Sequence, residues 1–211
     1  MKPFIRFFTE AGRLRKVLRR GGVLIGSKSP SSITDHLFRA ALMTLVLGRE
    51  KNGNLNMTKV LEMALVHDLC ELYTGDKSPY DHKTILPQDK KKWPELFDHW
   101  PRLTAQEKKR RVEQKYKQEG KAIDRLLQGL PRAIQKEIKG SWSEYEKGLT
   151  KEARFVKQIN RLEALLQALE YGREEKIRVY KSWWVGSKER IDEPVLIKFM
   201  EALAKEFPAR D

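Results

Sequence analysis

Only one cysteine, Cys70, is present, so no internal disulfide can form, which suits a reducing cytoplasm. Apolar runs nowhere approach the roughly 20 residues that a membrane-crossing helix needs. The opening segment Met1-Lys2-Pro3-Phe4-Ile5-Arg6-Phe7-Phe8 is basic and apolar, but Arg6 and Glu10 interrupt it too soon for a secretory signal. Short β-branched runs between turn residues are missing, which argues against a sheet. Internal repeats and low-complexity tracts are missing as well. Acidic residues are in deficit: 29 Asp and Glu stand against 43 Lys and Arg, a formal net charge of +14. Such an excess draws phosphates, polyanions or anionic surfaces.

What is present is helical periodicity. Apolar and basic positions alternate at helical spacing over residues 3–20, with Gly21-Gly22 as the expected stop. A second helix is expected over 31–49. A third runs from Asn56 or Thr58 to about Tyr73, with Gly75 placed to end it. Residues 77–104 carry Pro79, Pro87, Pro94 and Pro101 and read as an irregular excursion. Further helices are expected over 105–129, 131–148, 150–171, 174–185 and 193–206. The chain is long enough to bury a substantial core. The expected fold is all-α.

Within this frame the stretch Met63-Ala64-Leu65-Val66-His67-Asp68-Leu69-Cys70-Glu71 stands out. A charge buried beside an imidazole is costly unless something offsets it, and a metal ion does so. His36 lies on the preceding apolar helix, and Asn160 on a later one. Glu71 falls on the same helical face as His67, and Asp76 follows Gly75 just past the helix end. A divalent ion accepts imidazole and carboxylate together, activates water and polarises a phosphoryl oxygen. Glu71 can orient or deprotonate that water, and Asp76 can protonate a leaving oxygen. Each residue alone is weak evidence, since a lone histidine on an apolar helix is usually a satisfied core residue. The conjunction carries the reading.

Other residues have plainer readings. His82 and His99 read as loop or surface residues, Trp183-Trp184 as core on one side and interface on the other, and Cys70 as a buried inert thiol. Basic runs at Arg13-Leu14-Arg15-Lys16, Lys90-Lys91-Lys92 and Lys108-Lys109-Arg110-Arg111, interleaved with Trp93, Trp100 and Tyr116, allow nucleic acid as a partner. No nucleic-acid motif accompanies them, so that reading is not favoured.

Pro30-Ser31-Ser32-Ile33-Thr34-Asp35-His36, the His67-Asp68 stretch, Thr74-Gly75-Asp76-Lys77-Ser78-Pro79 and Phe155-Val156-Lys157-Gln158-Ile159-Asn160-Arg161-Leu162-Glu163 together resemble the 5′-deoxynucleotidase-like branch of the HD-domain superfamily of metal-dependent phosphohydrolases. The resemblance implies a single HD domain over 1–211: a helical bundle with its core at about 13–172, a proline-rich insertion at about 80–104 and C-terminal helices over 174–206. It implies one divalent metal, a homodimer, and release of phosphate from nucleoside 5′-monophosphates. His36, His67 and Asp68 match metal ligands, and Glu71 and Asp76 the catalytic acidic pair. Arg19 matches an arginine that contacts substrate phosphate, with Lys77 as a second substrate contact.

Departures from the pattern are specific. Asn160 stands where the family usually has a final aspartate ligand, and residues 153–175 contain no Asp. Glu163, one turn on, is an alternative donor. The family's tryptophan near Arg19 is replaced by Arg19-Arg20-Gly21-Gly22, and Ser31 stands where many relatives have Glu. Two alternatives therefore accompany the nucleotidase expectation: a phosphohydrolase for another nucleotide or phosphate ester, and a catalytically degenerate HD-fold binding protein.

Overall fold

The computed structural model describes residues 1–51, 53–78, 80–81, 86–99 and 103–208. The readings attached to Pro79, His82, Trp100 and Pro101 lie outside the described residues. The chain is all-α. Its elements are α1 (Lys2–Ala11), α2 (Arg20–Ile25), α3 (Ile33–Glu50), α4 (Met57–Val66), α5 (Glu71–Thr74), α6 (Trp93–Phe97), α7 (Ala105–Leu127), α8 (Arg132–Lys147), α9 (Lys151–Glu174), α10 (Lys181–Lys188) and α11 (Pro194–Glu206), with 3₁₀ turns at Gly12–Lys16 and Lys90–Lys92. Among the described residues the only β pairing is an isolated antiparallel bridge between Leu18 and Ser32.

Helix starts follow local capping chemistry. Ser32 and Asp35 form a reciprocal capping box at α3, and Thr104 and Glu107 form another at α7. Asn56 caps α4 through the Lys59 amide, and Thr150 caps α9 through Ala153. The α9 helix is central. It buries Ala153, Phe155, Val156, Ile159, Leu162, Leu165 and Leu169, positions spread around the helix, because α3, α4, α8, α10 and α11 all pack around it. By contrast, only the C-terminal part of α7 reaches the core, through Ala122, Ile123, Leu126 and Leu127. Its basic N-terminal half is a solvated face.

Apolar side chains gather in three clusters. The largest joins Ala40, Met63, Ala64, Phe155, Ile159 and Leu196. A second joins Leu14, Ile33, Leu37, Cys70, Ile123 and Trp142. The third is small and joins Leu24, Tyr80, Phe97 and Tyr180. Ala64 belongs to the first cluster and Leu69-Cys70 to the second, so His67 and Asp68 lie at the seam between two dry cores. Each large apolar side chain buried on either side contributes roughly 1.5–3 kcal/mol.

Several boundaries differ from those expected. The N-terminal helix ends at Ala11, not at Gly21-Gly22. Those glycines sit inside α2, where a Cβ on Gly21 would lie 2.7 Å from Trp183 and one on Gly22 3.1 Å from Pro30 and Tyr171, so close packing explains them. The third helix does not run unbroken to Tyr73. It stops at Val66, and residues 67–70 form turns before α5. Residues 176–180 are not helical: Lys176 has φ +60, and the helix expected over 174–185 forms at 181–188 instead. The proline-rich stretch holds one short helix, α6, whose Phe97 is buried.

Candidate metal centre

Three elements deliver the central side chains. Residues flanking the β bridge pin the extended segment before α2 to the loop before α3: the Arg19 amide donates to Ser31 O at 2.7 Å, and the Ile33 amide to Val17 O at 2.8 Å. One turn into α3, His36 faces inward and is fully buried. After α4 the backbone tightens, with the Leu69 amide bonding Val66 O and the Glu71 amide bonding Asp68 O. These three-residue bonds close the turn that carries His67 and Asp68. An unbroken α-helix would splay the two side chains about 100° apart.

The three donors converge. His36 Nε2 lies 3.3 Å from His67 Nε2 and 3.5 Å from Asp68 Oδ2, and His67 Nε2 lies 3.3 Å from Asp68 Oδ2. The triangle they form has a circumradius of about 2 Å, close to the roughly 2.0–2.2 Å at which Zn²⁺ holds imidazole nitrogen and carboxylate oxygen. Among the described residues, these three form the group whose ligand atoms all lie within 4.8 Å of one another.

Proton placement also fits a cation. His67 Nδ1 donates to Ala64 O at 3.0 Å, since a carbonyl only accepts. His36 Nδ1 donates to Glu163 Oε2 at 2.5 Å. Burial opposes ionisation of Glu163, but His36, Arg19 and Arg39 outweigh it and hold its carboxyl at about 2. Burial and the nearby Arg19 guanidinium hold the His36 imidazole below its ordinary value, against the pull of Glu163. In neutral rings with hydrogen on Nδ1, both Nε2 atoms present lone pairs to each other and to a carboxylate oxygen. A positive ion satisfies all three. Burial opposes ionisation of Asp68 too, yet His67, His36 and Arg19 keep it well below the usual carboxylate range. The residues present form a site for one divalent metal ion.

Around this triad stand the other expected residues. Glu71 is buried, and its Oε2 has no hydrogen-bond partner. Burial, Asp68 and Asp76 push its pKa well above the ordinary value. Arg19 Nη1 sits 3.4 Å from Asp68 Oδ2 and 3.5 Å from Asp76 Oδ2. Asp76 Oδ2 also accepts the Arg20 amide at 2.8 Å. A cleft of about 550 Å³ is bordered by Arg19, Asp68, Glu71, Asp76, Lys77 and Asn160. Lys77 is exposed, and its amine reaches Gln118 at 3.0 Å. Lys115, Lys157, Arg161 and Arg190 add positive charge to the cleft wall.

Asn160 and Glu163 resolve differently from one another. The Asn160 amide nitrogen donates to the Tyr145 hydroxyl at 2.6 Å, and Asn160 borders the cleft. Glu163 is not a spare ligand: it grips the far nitrogen of His36 and the Arg39 guanidinium, at 2.8 Å to Arg39 Nη2. Such partners orient a metal-binding imidazole and raise its basicity. Cys70 is buried, and burial pushes its thiol well above the ordinary value, so it is inert. His99 is exposed.

Sequence reasoning missed Tyr145. Its ring centroid lies 4.7 Å from that of His67, it holds Asn160, and it borders the cleft. Its position on α8 carries no motif spacing to His67. The Ala64 carbonyl had a signal, because it lies three residues before His67, within reach of the ring in a helical turn.

An all-α bundle with a two-histidine, one-aspartate cluster at its central seam defines a helical metal-site domain. A family model described as "HD domain" matches residues 11–196, and the chain belongs to that family. It is 31% identical, over 97% of this chain and 86% of the relative, to the 5′-deoxynucleotidase HDDC2 of Bos taurus. It is 30% identical, over 92% and 93%, to the protein of the same name from Dictyostelium discoideum. Among solved structures, one titled a predicted metal-dependent phosphohydrolase from Magnetospirillum magnetotacticum MS-1 aligns with a TM-score of 0.68 and 24% identity, covering 97% of this chain and 91% of that one. This last likeness shows the fold.

Proposed function

We propose that the protein is a metal-dependent phosphohydrolase that releases phosphate from nucleoside 5′-monophosphates. The carrying observation is the convergence of two imidazole lone pairs and one carboxylate at the head of a cation-lined cleft, within a chain whose curated relatives are named 5′-deoxynucleotidases. His36, His67 and Asp68 hold the ion, with Asn160 Oδ1 as a fourth, neutral donor. A divalent ion in that position lowers the pKa of water and polarises a phosphoryl oxygen.

The chain's own residues do the rest. Arg19, fixed between Asp68 and Asp76, places a positive charge beside the phosphate and neutralises charge that develops on it. Glu71, whose Oε2 has no hydrogen-bond partner and whose carboxyl is made more basic by burial and by Asp68 and Asp76, takes the proton of the attacking water. Asp76, which borders both the cleft and the space beyond it, receives the proton that leaves the attacking water through Glu71 and passes it to the departing 5′-oxygen. Lys77 supplies a second, more exposed cation for the substrate. The apolar clusters on both sides of the triad limit its access to water, which strengthens each of these interactions.

The same reading takes residues 1–211 as one HD domain, with 80–104 as an insertion, working in the cytoplasm as a homodimer. Support for the dimer comes from α3, which exposes Phe38, Leu42 and Val46 on one face. No helix of the described residues is long and apolar enough to cross a membrane.

A phosphate-release screen tests the reaction. It covers deoxy- and ribonucleoside 5′-monophosphates, cyclic nucleotides and dinucleotides, each with Mg²⁺, Mn²⁺, Co²⁺ and Zn²⁺. Metal-dependent release from the 5′-monophosphates is expected. Release from none of them under any metal refutes the nucleotidase reading.

A further inference from the structure

The cleft does not end at the metal triad. Asp76, Lys77 and Ser78 carry its wall into an adjoining space of about 120 Å³ that also meets Arg19, Gly21 and Trp183. Ser78, Gly21 and Trp183 continue into a recess of about 60 Å³ closed by Leu24, Tyr80 and Phe97. Arg161 borders all three spaces. Chemistry changes along this path, from carboxylates and cations at one end to aromatic and aliphatic carbon at the other.

Trp183 dominates the apolar end. It reaches the site from α10, and the glycine at position 21 makes room for it: a Cβ there would meet Trp183 Cη2 at 2.7 Å and Cζ2 at 3.4 Å. Half-buried, its ring packs against two of the apolar clusters while it borders the recess. The insertion builds the remaining wall. Tyr80 meets Phe97 edge-on at 4.9 Å, and Phe97 meets Tyr180 at 5.4 Å. Arg20 clasps Asp81 through two nitrogens at 2.6–2.9 Å, and Arg178 reaches Asp98 at 2.5 Å, tying both ends of this wall to the bundle.

Resting on the nucleotidase reading above, we propose that this recess is the nucleobase subsite, with Trp183 as its stacking face and Arg161 as the cation linking it to the phosphate end. An aromatic face accepts any base, since every base presents a π surface, and a nearby guanidinium reinforces the contact. Trp183 is thus a specificity-determining residue: it makes the site prefer a phosphate ester that carries a base over one that does not.

The test compares two pairs of compounds on the metal-loaded protein. A deoxynucleoside 5′-phosphonate and the baseless deoxyribose 5-phosphonate, neither of which can be hydrolysed, are titrated calorimetrically into wild type, Trp183→Ala and Trp183→Phe. The corresponding phosphate esters are assayed for turnover. Trp183→Ala should lose about tenfold more affinity for the base-bearing phosphonate than for the baseless one, and Trp183→Phe should recover most of the difference. Equal losses for both ligands, or no preference for the base in wild type, overturn the proposal. Absence of phosphate release from either ester refutes the reaction alone, because the phosphonate titrations decide the base subsite without any turnover.

Discussion

Glu163 offers the sharpest test of how the metal centre is built, because it touches His36 without belonging to the triad. Its carboxylate is completely buried, accepts from His36 Nδ1 and pairs with Arg39. Glu163→Gln keeps an oxygen acceptor for the ring and removes the negative charge. Groups that orient a ligand in this way are worth about 10–100-fold in metal affinity. Glu163→Gln should therefore weaken Mn²⁺ binding about tenfold, or about 1.4 kcal/mol, and Glu163→Ala closer to 100-fold. Titration calorimetry on chelator-treated protein reads this directly. The same substitution has a signature in acid, measured on metal-free protein. Glu163 titrates at about 2 in the folded chain against an ordinary 4.5, which is worth about 3 kcal/mol at 1.36 kcal/mol per pH unit. A lowered folded pKa means that the folded chain binds fewer protons than the unfolded one. The stabilisation is complete above about pH 4.5 and is lost as pH falls through about 2. Denaturant melts should show wild type ahead of Glu163→Gln near neutrality, with the gap closing between pH 5 and 2. A gap that stays constant over that range, together with unchanged Mn²⁺ affinity, refutes the assigned role of Glu163.

Glu71→Gln should keep stoichiometric metal while turnover falls roughly 10²–10⁴-fold; unchanged turnover removes Glu71 from proton transfer. Asn160→Asp adds a negative donor and should tighten Mn²⁺ binding about tenfold, and unchanged affinity in calorimetry would show that Asn160 Oδ1 does not ligate. Chelation should lower the melting temperature by about 5–10 °C relative to protein in a 100-fold excess of metal over its Kd; His67→Ala or Asp68→Ala should show no such shift, and retained metal in both would refute the site. Phe38→Glu with Leu42→Glu should convert a dimer to a monomer in light scattering, and an unchanged mass would place the dimer contact elsewhere.

Much of this was legible in the sequence wherever local rules and global packing agree. The helix expected over 31–49 from its apolar spacing forms at Ile33–Glu50, where the Ser32–Asp35 capping box sets its start. The convergence of His36 with His67 and Asp68 was legible as a conjunction of residue types on neighbouring apolar helices. What remained hidden depended on contacts distant in sequence. Gly21-Gly22 reads as a helix stop by any local rule, yet here it is dictated by Trp183 and Tyr171. The turn after Val66 leaves no composition signal, because Ala64 through Cys70 are compatible with a continuous helix. Tyr145 reaches His67 from another helix, and no spacing announces that contact.

Asn160 shows why residue type alone does not settle a departure from a family pattern. Read by itself, an amide in place of a carboxylate signals a weakened metal site. In the folded chain the amide nitrogen is bonded to Tyr145, whose hydroxyl stays protonated because burial and the nearby Asp68 push its pKa up. That bond fixes which way the amide points. If Asn160 Oδ1 ligates, an orientation set before the ion arrives costs less conformational entropy on binding than a free side chain would lose, which would offset part of the lost charge. Tyr145→Phe separates the two contributions. It removes the hydroxyl and leaves the ring against His67, so the Asn160 amide is free to turn. If orientation compensates for charge, Mn²⁺ affinity falls in Tyr145→Phe, and the same substitution costs less in an Asn160→Asp background, where charge draws the side chain to the ion. Equal costs in both backgrounds would mean that Tyr145 supports His67 alone.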